Sequence, residues 1–258
     1  MQKTKNEGVS VQSVARVLDI IKCFENANEL GISELSERMD LAKSTIYGLV
    51  HTLAAYGYLE QSEQNKKYRL GLKLFELGNL VHGRIDIRWE AKPWCQMLFD
   101  KYKTTVHLAA YSEGDVVYID KVDNESSLVN YSRVGKRGRM YCTGVGKAIL
   151  AYLPMEYLKK YVLTKPFQKL TDNTITTREG LLEELEQVRS KGYAIDNEEI
   201  EAGLQCIAAP IFNHQHNPQM ALSVSFPLGR LQNLDIDEVA RDVLYYSAQI
   251  SERLGYIA

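Results

Sequence analysis

A chain of 258 residues with a formal net charge of −2 and four cysteines is longer than one average domain, and its charge points to no strongly basic or acidic partner. No apolar run is long enough to span a bilayer and the first ten residues are polar, so neither a membrane span nor a signal segment is expected and the location implied is cytoplasmic. Cys23, Cys95, Cys142 and Cys206 lack metal-ligand spacing, which leaves free thiols and no metal or cofactor as the expectation.

After a loose arm over residues 1–10, Val11, Val14, Ala15, Leu18 and Ile21, followed by Phe24, predict a helix whose apolar face packs beneath a later one. Residues 31–39 read as a short helix, with Ser33 placed to cap it and Glu34 in its positive first turn. Asp40-Leu41-Ala42 is a tight turn. Over residues 41–58, Ile46, Leu49, Val50 and Leu53 recur at helical spacing and form a buried stripe. The opposite face carries Lys43, Ser44, Tyr47, Gly48 and His51, a chemistry suited to phosphates and base edges. Two short extended runs, 58–61 and 67–70, flank the polar turn 62–65 and present Lys66, Lys67 and Arg69. Helix, helix, turn, helix and basic hairpin make a winged helix-turn-helix over residues 11–71. Residues 1–80 are balanced, ten Lys/Arg against ten Asp/Glu, but Lys43, Lys66, Lys67, Arg69 and Lys73 gather on the recognition helix and wing.

Residues 72–84 show helical spacing with more apolar surface than a lone connector needs, as in helices that pair with a second subunit. A second domain over 85–258 opens with an amphipathic helix ending at Tyr102, in which Pro93 is tolerable only near the first turn. Strands follow at 105–112 and 116–122 across Glu113-Gly114-Asp115, and a third at 128–133. The loop 143–146 leads into a helix over 146–153, and Pro154 starts another through Tyr161. Residues 177–191 form an amphipathic helix ended by Gly192; strands return at 193–197, 205–212 and 219–227, and a helix over 237–254 closes the chain. The fold class is α+β with an antiparallel sheet.

Three stretches of the second domain could hold a ligand. The Gly144-Val145-Gly146-Lys147 turn offers backbone N–H groups at a helix start, though without P-loop spacing, and a plain glycine turn explains it as well as a carboxylate site does. Ser223 and Ser225 place two hydroxyls on one face of a strand whose other face carries Leu222, Val224 and Phe226. Asp196-Asn197-Glu198-Glu199 ends a strand shortly before Cys206, where solvated charge is the commoner reading. His214 and His216 share a hairpin turn with no third metal ligand in view. A catalytic reading would need a histidine beside Cys206 or Cys142, and His107 is the one in a strand of this domain.

The ordered segments Val11-Gln12-Ser13-Val14, Gly31-Ile32-Ser33-Glu34-Leu35, Lys43-Ser44-Thr45-Ile46 and Tyr68-Arg69-Leu70-Gly71 resemble the IclR family of bacterial transcription regulators. Cys142-Thr143-Gly144-Val145-Gly146-Lys147-Ala148, the segment 192–199, the segment 203–210 and Ala221-Leu222-Ser223-Val224-Ser225 continue the likeness over nearly the whole chain. That resemblance implies a winged helix-turn-helix with Thr45 among its DNA-facing residues, a linker helix, a GAF/PAS-like effector domain, dimers or tetramers, a palindromic operator and no catalysis. It also implies an effector pocket for a small keto or sugar acid, formed here by the backbone of Gly144 and Val145 with Asp196, Leu204, Cys206, Ser223 and Ser225. The segment 73–78 and the surroundings of Tyr118 and Tyr131 are similar to the branch that represses 2-keto-3-deoxygluconate catabolism. The chain departs from the family pattern at Gly48, where arginine is frequent, which puts any inherited operator sequence in question.

Overall fold

The computed structural model describes residues 11–84, 87–123, 132–227, 229–231 and 234–257, which fall into two compact units. The first contains α1 (Gln12–Lys22), α2 (Ile32–Met39), α3 (Lys43–Ala55), the strands β1 (Leu59–Gln61) and β2 (Tyr68–Leu70), and α4 (Leu72–Arg84). Its core is Ile20, Phe24, Leu30, Leu35, Ile46, Val50, Leu53, Leu59 and Tyr68. Leu49 is only half-buried, so the stripe of α3 is narrower than its spacing implies.

Two expectations are corrected here. Val11, Val14 and Leu18 face outward, and α1 turns Ile20 inward with Val17 and Ile21 beside it. The helix is apolar on two faces, and periodicity alone cannot say which one the domain covers. Ser33 does not cap α2: Gly31 holds the N-cap position, and Glu34 Oε2 accepts its backbone N–H at 2.6 Å. The carboxylate thus satisfies the N-cap amide, the reciprocal half of a capping box.

The second unit runs through α5 (Ile87–Tyr102), β3 (Thr105–Ser112), β4 (Asp115–Val122), β5 (Arg137–Arg139), α6 (Gly144–Leu150), α7 (Met155–Tyr161), α8 (Arg178–Lys191), β6 (Ala194–Asn197), β7 (Leu204–Phe212), β8 (Pro218–Pro227) and α9 (Ile236–Arg253). The six strands form one antiparallel sheet in the order β5-β4-β3-β8-β7-β6. Because side chains alternate along a strand, the sheet has two chemically distinct faces. Packed against α5 and α9 is one face rich in Leu108, Ile207, Leu222, Val224 and Phe226. The other presents Ala109, Ala194, Ala208 and Ala221, whose small side chains let α6 lie close.

Pro93 lies well inside α5 rather than in its first turn, so that helix gives up one backbone hydrogen bond. The strand expected at 128–133 falls mostly outside the described residues; Ser132 and Arg133 are irregular, and β5 supplies the edge strand instead. Helix α6 begins at Gly144, two residues before its expected start, because the Thr143 hydroxyl caps it by accepting the Gly146 N–H at 3.2 Å. A Cβ on Gly146 would stand 2.3 Å from the Met140 carbonyl oxygen, so only glycine fits at that turn.

Gly48 has the opposite character: a Cβ there would meet nothing within 4 Å, so the packing of the first unit does not call for it. Gly48→Ala is therefore expected to raise the unfolding free energy by about 1 kcal/mol, checked by urea denaturation.

Candidate effector site and DNA-contact face

On α3, Lys43, Ser44, Tyr47, Gly48 and His51 are exposed and Thr45 is half-buried. The rings of Tyr47 and His51 stack with centroids 5.9 Å apart, which organises the two as one flat surface. In the wing, Lys67 pairs with Glu34 at 3.1 Å and Arg69 with Glu60 at 3.1 Å. Lys43 and Lys66 carry no ion pair among the described residues. Two of the expected wing cations are thus partly neutralised within the protein, and exposed pairs of this kind are weak enough to be exchanged for phosphate.

In the second unit, the sheet face beneath α6 changes from alanine to polar residues along β6, β7, β8 and β3. Asp196 stands opposite Cys206, Cys206 opposite Ser225, and Ser223 opposite His107 in the antiparallel register. Residues directly opposite share a face, so these side chains form one patch. Gly144 lies over it: a Cβ there would sit 3.3 Å from that of Ala208, 3.6 Å from that of Cys206 and 3.7 Å from that of Asp196. Five of the seven residues expected to bind an effector, Gly144, Asp196, Cys206, Ser223 and Ser225, therefore meet at one place. Val145 is the next residue of α6, and Leu204 packs with Cys206 and Ile200.

The patch is buried and hydrogen-bonded. Cys206 Sγ lies 3.0 Å from Ser225 Oγ, Ser225 Oγ lies 3.3 Å from His107 Nδ1, and His107 Nε2 lies 2.6 Å from Ser132 Oγ. Burial, reinforced by Lys121, pushes the His107 imidazole down to about 3, so it stays neutral. A base that weak does not take a thiol's proton, and burial pushes the Cys142 thiol up to about 12. The catalytic reading loses its base.

Sequence reasoning missed how the site is held. Lys147, on α6, is 1% exposed, and its ammonium donates to Glu184 of α8 at 2.8 Å, to the Ile195 carbonyl at 2.6 Å and to Glu199. Burial opposes its charge, but Glu199 and Glu184 outweigh that and raise its pKa. The one available signal was a lysine inside the apolar run Gly144–Leu150, where a solvated side chain has no room. Thr171 and Thr174 add hydroxyl donors to the carbonyls of Glu198 and Glu199, at 2.6 and 2.7 Å, and no pattern in the sequence marked them. The solvated reading of Asp196 and Glu199 is also overturned: both are buried, because strand β6 runs its end under α6.

The model of the bacterial transcriptional regulator IclR C-terminal domain matches residues 80–252, and the model of the IclR helix-turn-helix domain matches residues 13–63. The chain belongs to the IclR family. It is 37% identical to the HTH-type transcriptional regulator XynR of Escherichia coli over 249 residues, 96% of this chain and 99% of that one. It is 38% identical to the regulator KdgR of the same organism over 247 residues, 96% of this chain and 94% of that one. The crystal structure of the Thermotoga maritima IclR superposes with a TM-score of 0.75 at 32% identity, covering 96% of this chain and 100% of that one. This IclR-family chain is a DNA-binding transcription regulator and not an enzyme, and no described helix is long and apolar enough to cross a membrane.

Truncating Lys147 would strand Glu199, and partly Glu184, without a counter-charge. Lys147→Ala is expected to cost about 3–5 kcal/mol of stability, measured by urea denaturation of the second unit's transition.

Proposed function

We propose that this regulator is a repressor of a carbon-catabolic operon that leaves its operator when a small keto or sugar acid binds beneath α6. The observation that carries the reading is the buried polar patch of Asp196, Cys206, Ser223 and Ser225 under Gly144, in a sheet face otherwise lined by alanine. Cys206 and Ser225 find partners in the protein, but Asp196 Oδ2 has none among the described residues, and a buried polar atom must find a partner or cost stability. The backbone of Gly144 and Val145 and the two serine hydroxyls take the carboxylate, Asp196 takes a hydroxyl, and Leu204 with Cys206 accepts the carbon chain. The resemblance of residues 73–78 to the branch that represses 2-keto-3-deoxygluconate catabolism makes that acid the first to test.

On the DNA side, Lys43, Ser44, Thr45, Tyr47, Gly48 and His51 enter the major groove, and Lys66, Lys67 and Arg69 of the wing meet phosphates. Outward-facing Val11, Val14 and Leu18, with Leu72, Phe75 and Leu80 of α4, leave apolar stripes for a second copy of the chain. The protein acts as a homodimer or homotetramer on a palindromic operator, and residues 72–84 serve as the linker between an 11–71 DNA-binding domain and an 85–258 effector domain. An activator of the same family is the competing reading, and the sign of the acid's effect on DNA binding separates the two.

Equilibrium binding to the DNA upstream of its own gene is expected to weaken when one acid of a panel containing 2-keto-3-deoxygluconate, pyruvate and galacturonate is added. Gly144→Val should bind the same DNA yet ignore that acid, because its side chain fills the space above Cys206 and Asp196. Tightening by the acid indicates activation or co-repression instead, and binding no better than to random DNA removes the proposal.

A further inference from the structure

Asp196 sits where a carboxylate has little support for its charge. It is 1% exposed; Oδ1 accepts the Glu199 N–H at 2.8 Å, and Oδ2, equally buried, has no hydrogen-bond partner among the described residues. The titratable groups around it are Glu199 from the segment after its own strand, Lys147 from α6, Cys142 from the turn before α6 and Cys206 from β7. Ser225 and then His107 continue the row, with Lys121 opposite His107 and paired with Asp123 at 2.7 Å.

The cation whose charge acts on Asp196 is Lys147, and all three of its ammonium protons are already committed to Glu184, Glu199 and the Ile195 carbonyl. Three carboxyl groups thus share one ammonium. A second unpartnered carboxylate oxygen, Glu199 Oε2, lies in the same cluster. An acid entering as its anion would add a further negative charge beside an ammonium whose protons are already committed. Placing a proton on Asp196 removes one charge and turns Oδ2 from an orphan acceptor into a donor.

We propose that the acid effector is bound together with one proton, taken up on Asp196, whose Oδ2–H donates to an oxygen of the ligand. This rests on the acid-effector reading above. Burial, with repulsion from Glu199, holds the Asp196 carboxyl up to about 7, while Lys147 and the amides of Glu199 and Ile200 pull the other way. The free protein therefore carries the proton half the time near neutrality, and an arriving anion raises its hold further. Because the bound state then holds more protons than the free state above pH 7, affinity falls as pH rises and levels off below about pH 6.

Isothermal titration calorimetry of the full-length protein with 2-keto-3-deoxygluconate, pyruvate and galacturonate, in phosphate and in Tris at pH 6, 7 and 8, tests this. Expected is uptake of about half a proton per site at pH 7 and about one at pH 8, with affinity dropping about fivefold between pH 7 and pH 8. Asp196→Asn, which supplies a permanent donor, should lose the pH dependence of its affinity and give equal heats in the two buffers. Equal heats in the two buffers with a flat pH profile overturn proton uptake while leaving the acid-effector reading intact. Absence of heat with all three acids at every pH overturns both. The buffer comparison on the unaltered protein decides the matter if the variant does not fold.

Discussion

The polar end of the sheet face beneath α6 hangs on the burial of one ammonium group. Lys147 joins α6 to α8 through Glu184, to strand β6 through the Ile195 carbonyl, and to the segment after β6 through Glu199. Desolvating a charge costs several kcal/mol, repaid only when every proton finds an acceptor. Here all three do. Such an arrangement is a poor way to gain stability, since apolar residues of the same volume would commonly serve as well, but it is an exacting way to fix position. Helix α6 cannot slide along the sheet without breaking all three contacts together.

The same constraint explains why polar and apolar surface coexist under one short helix. Alanines at positions 109, 194, 208 and 221 bring α6 down onto the sheet, and Gly144 removes the side chain that would hold it off. Where the alanines give way to Asp196, Cys206, Ser223 and Ser225, the close approach leaves polar atoms facing a glycine backbone. The segment after β6 closes the side of this space. Ile200 packs on Leu204 and Cys206 from within it, and its carbonyls at 198 and 199 are held by Thr171 and Thr174. Glu198 and Gly203, both with positive φ, bound that segment and set its two sharp turns.

Much of this was legible beforehand, for physical reasons. Strands such as 105–112 announce themselves by alternation, and the turn at Glu113-Gly114-Asp115 by its glycine. The Ser-x-Ser spacing placed both hydroxyls on one face because the strand period is two. What was not legible depended on partners distant in sequence. The inward face of α1 could not be chosen from its spacing because both candidate stripes are apolar. Ser33 and Gly31 compete for one capping role, and the reach of Glu34 decided it. The burial of Lys147 required Glu184 and Glu199, 37 and 52 residues away, to arrive at the same point.

For a regulator, tightness of effector binding matters less than the difference in tightness between two arrangements of the protein. A ligand bound equally by both shifts nothing, and a ratio of α in effector affinity returns as the same ratio in operator affinity. A site clamped by Lys147 suits that requirement. Because packed elements held by several simultaneous contacts occupy discrete positions, an acid that displaces the Asp196 and Glu199 end of the cluster strains α6 and α8 together rather than deforming one side chain. The proton on Asp196 enters the same account. If it is retained only in the effector-bound arrangement, acidity and effector push the equilibrium in one direction, and the operator is read through their product.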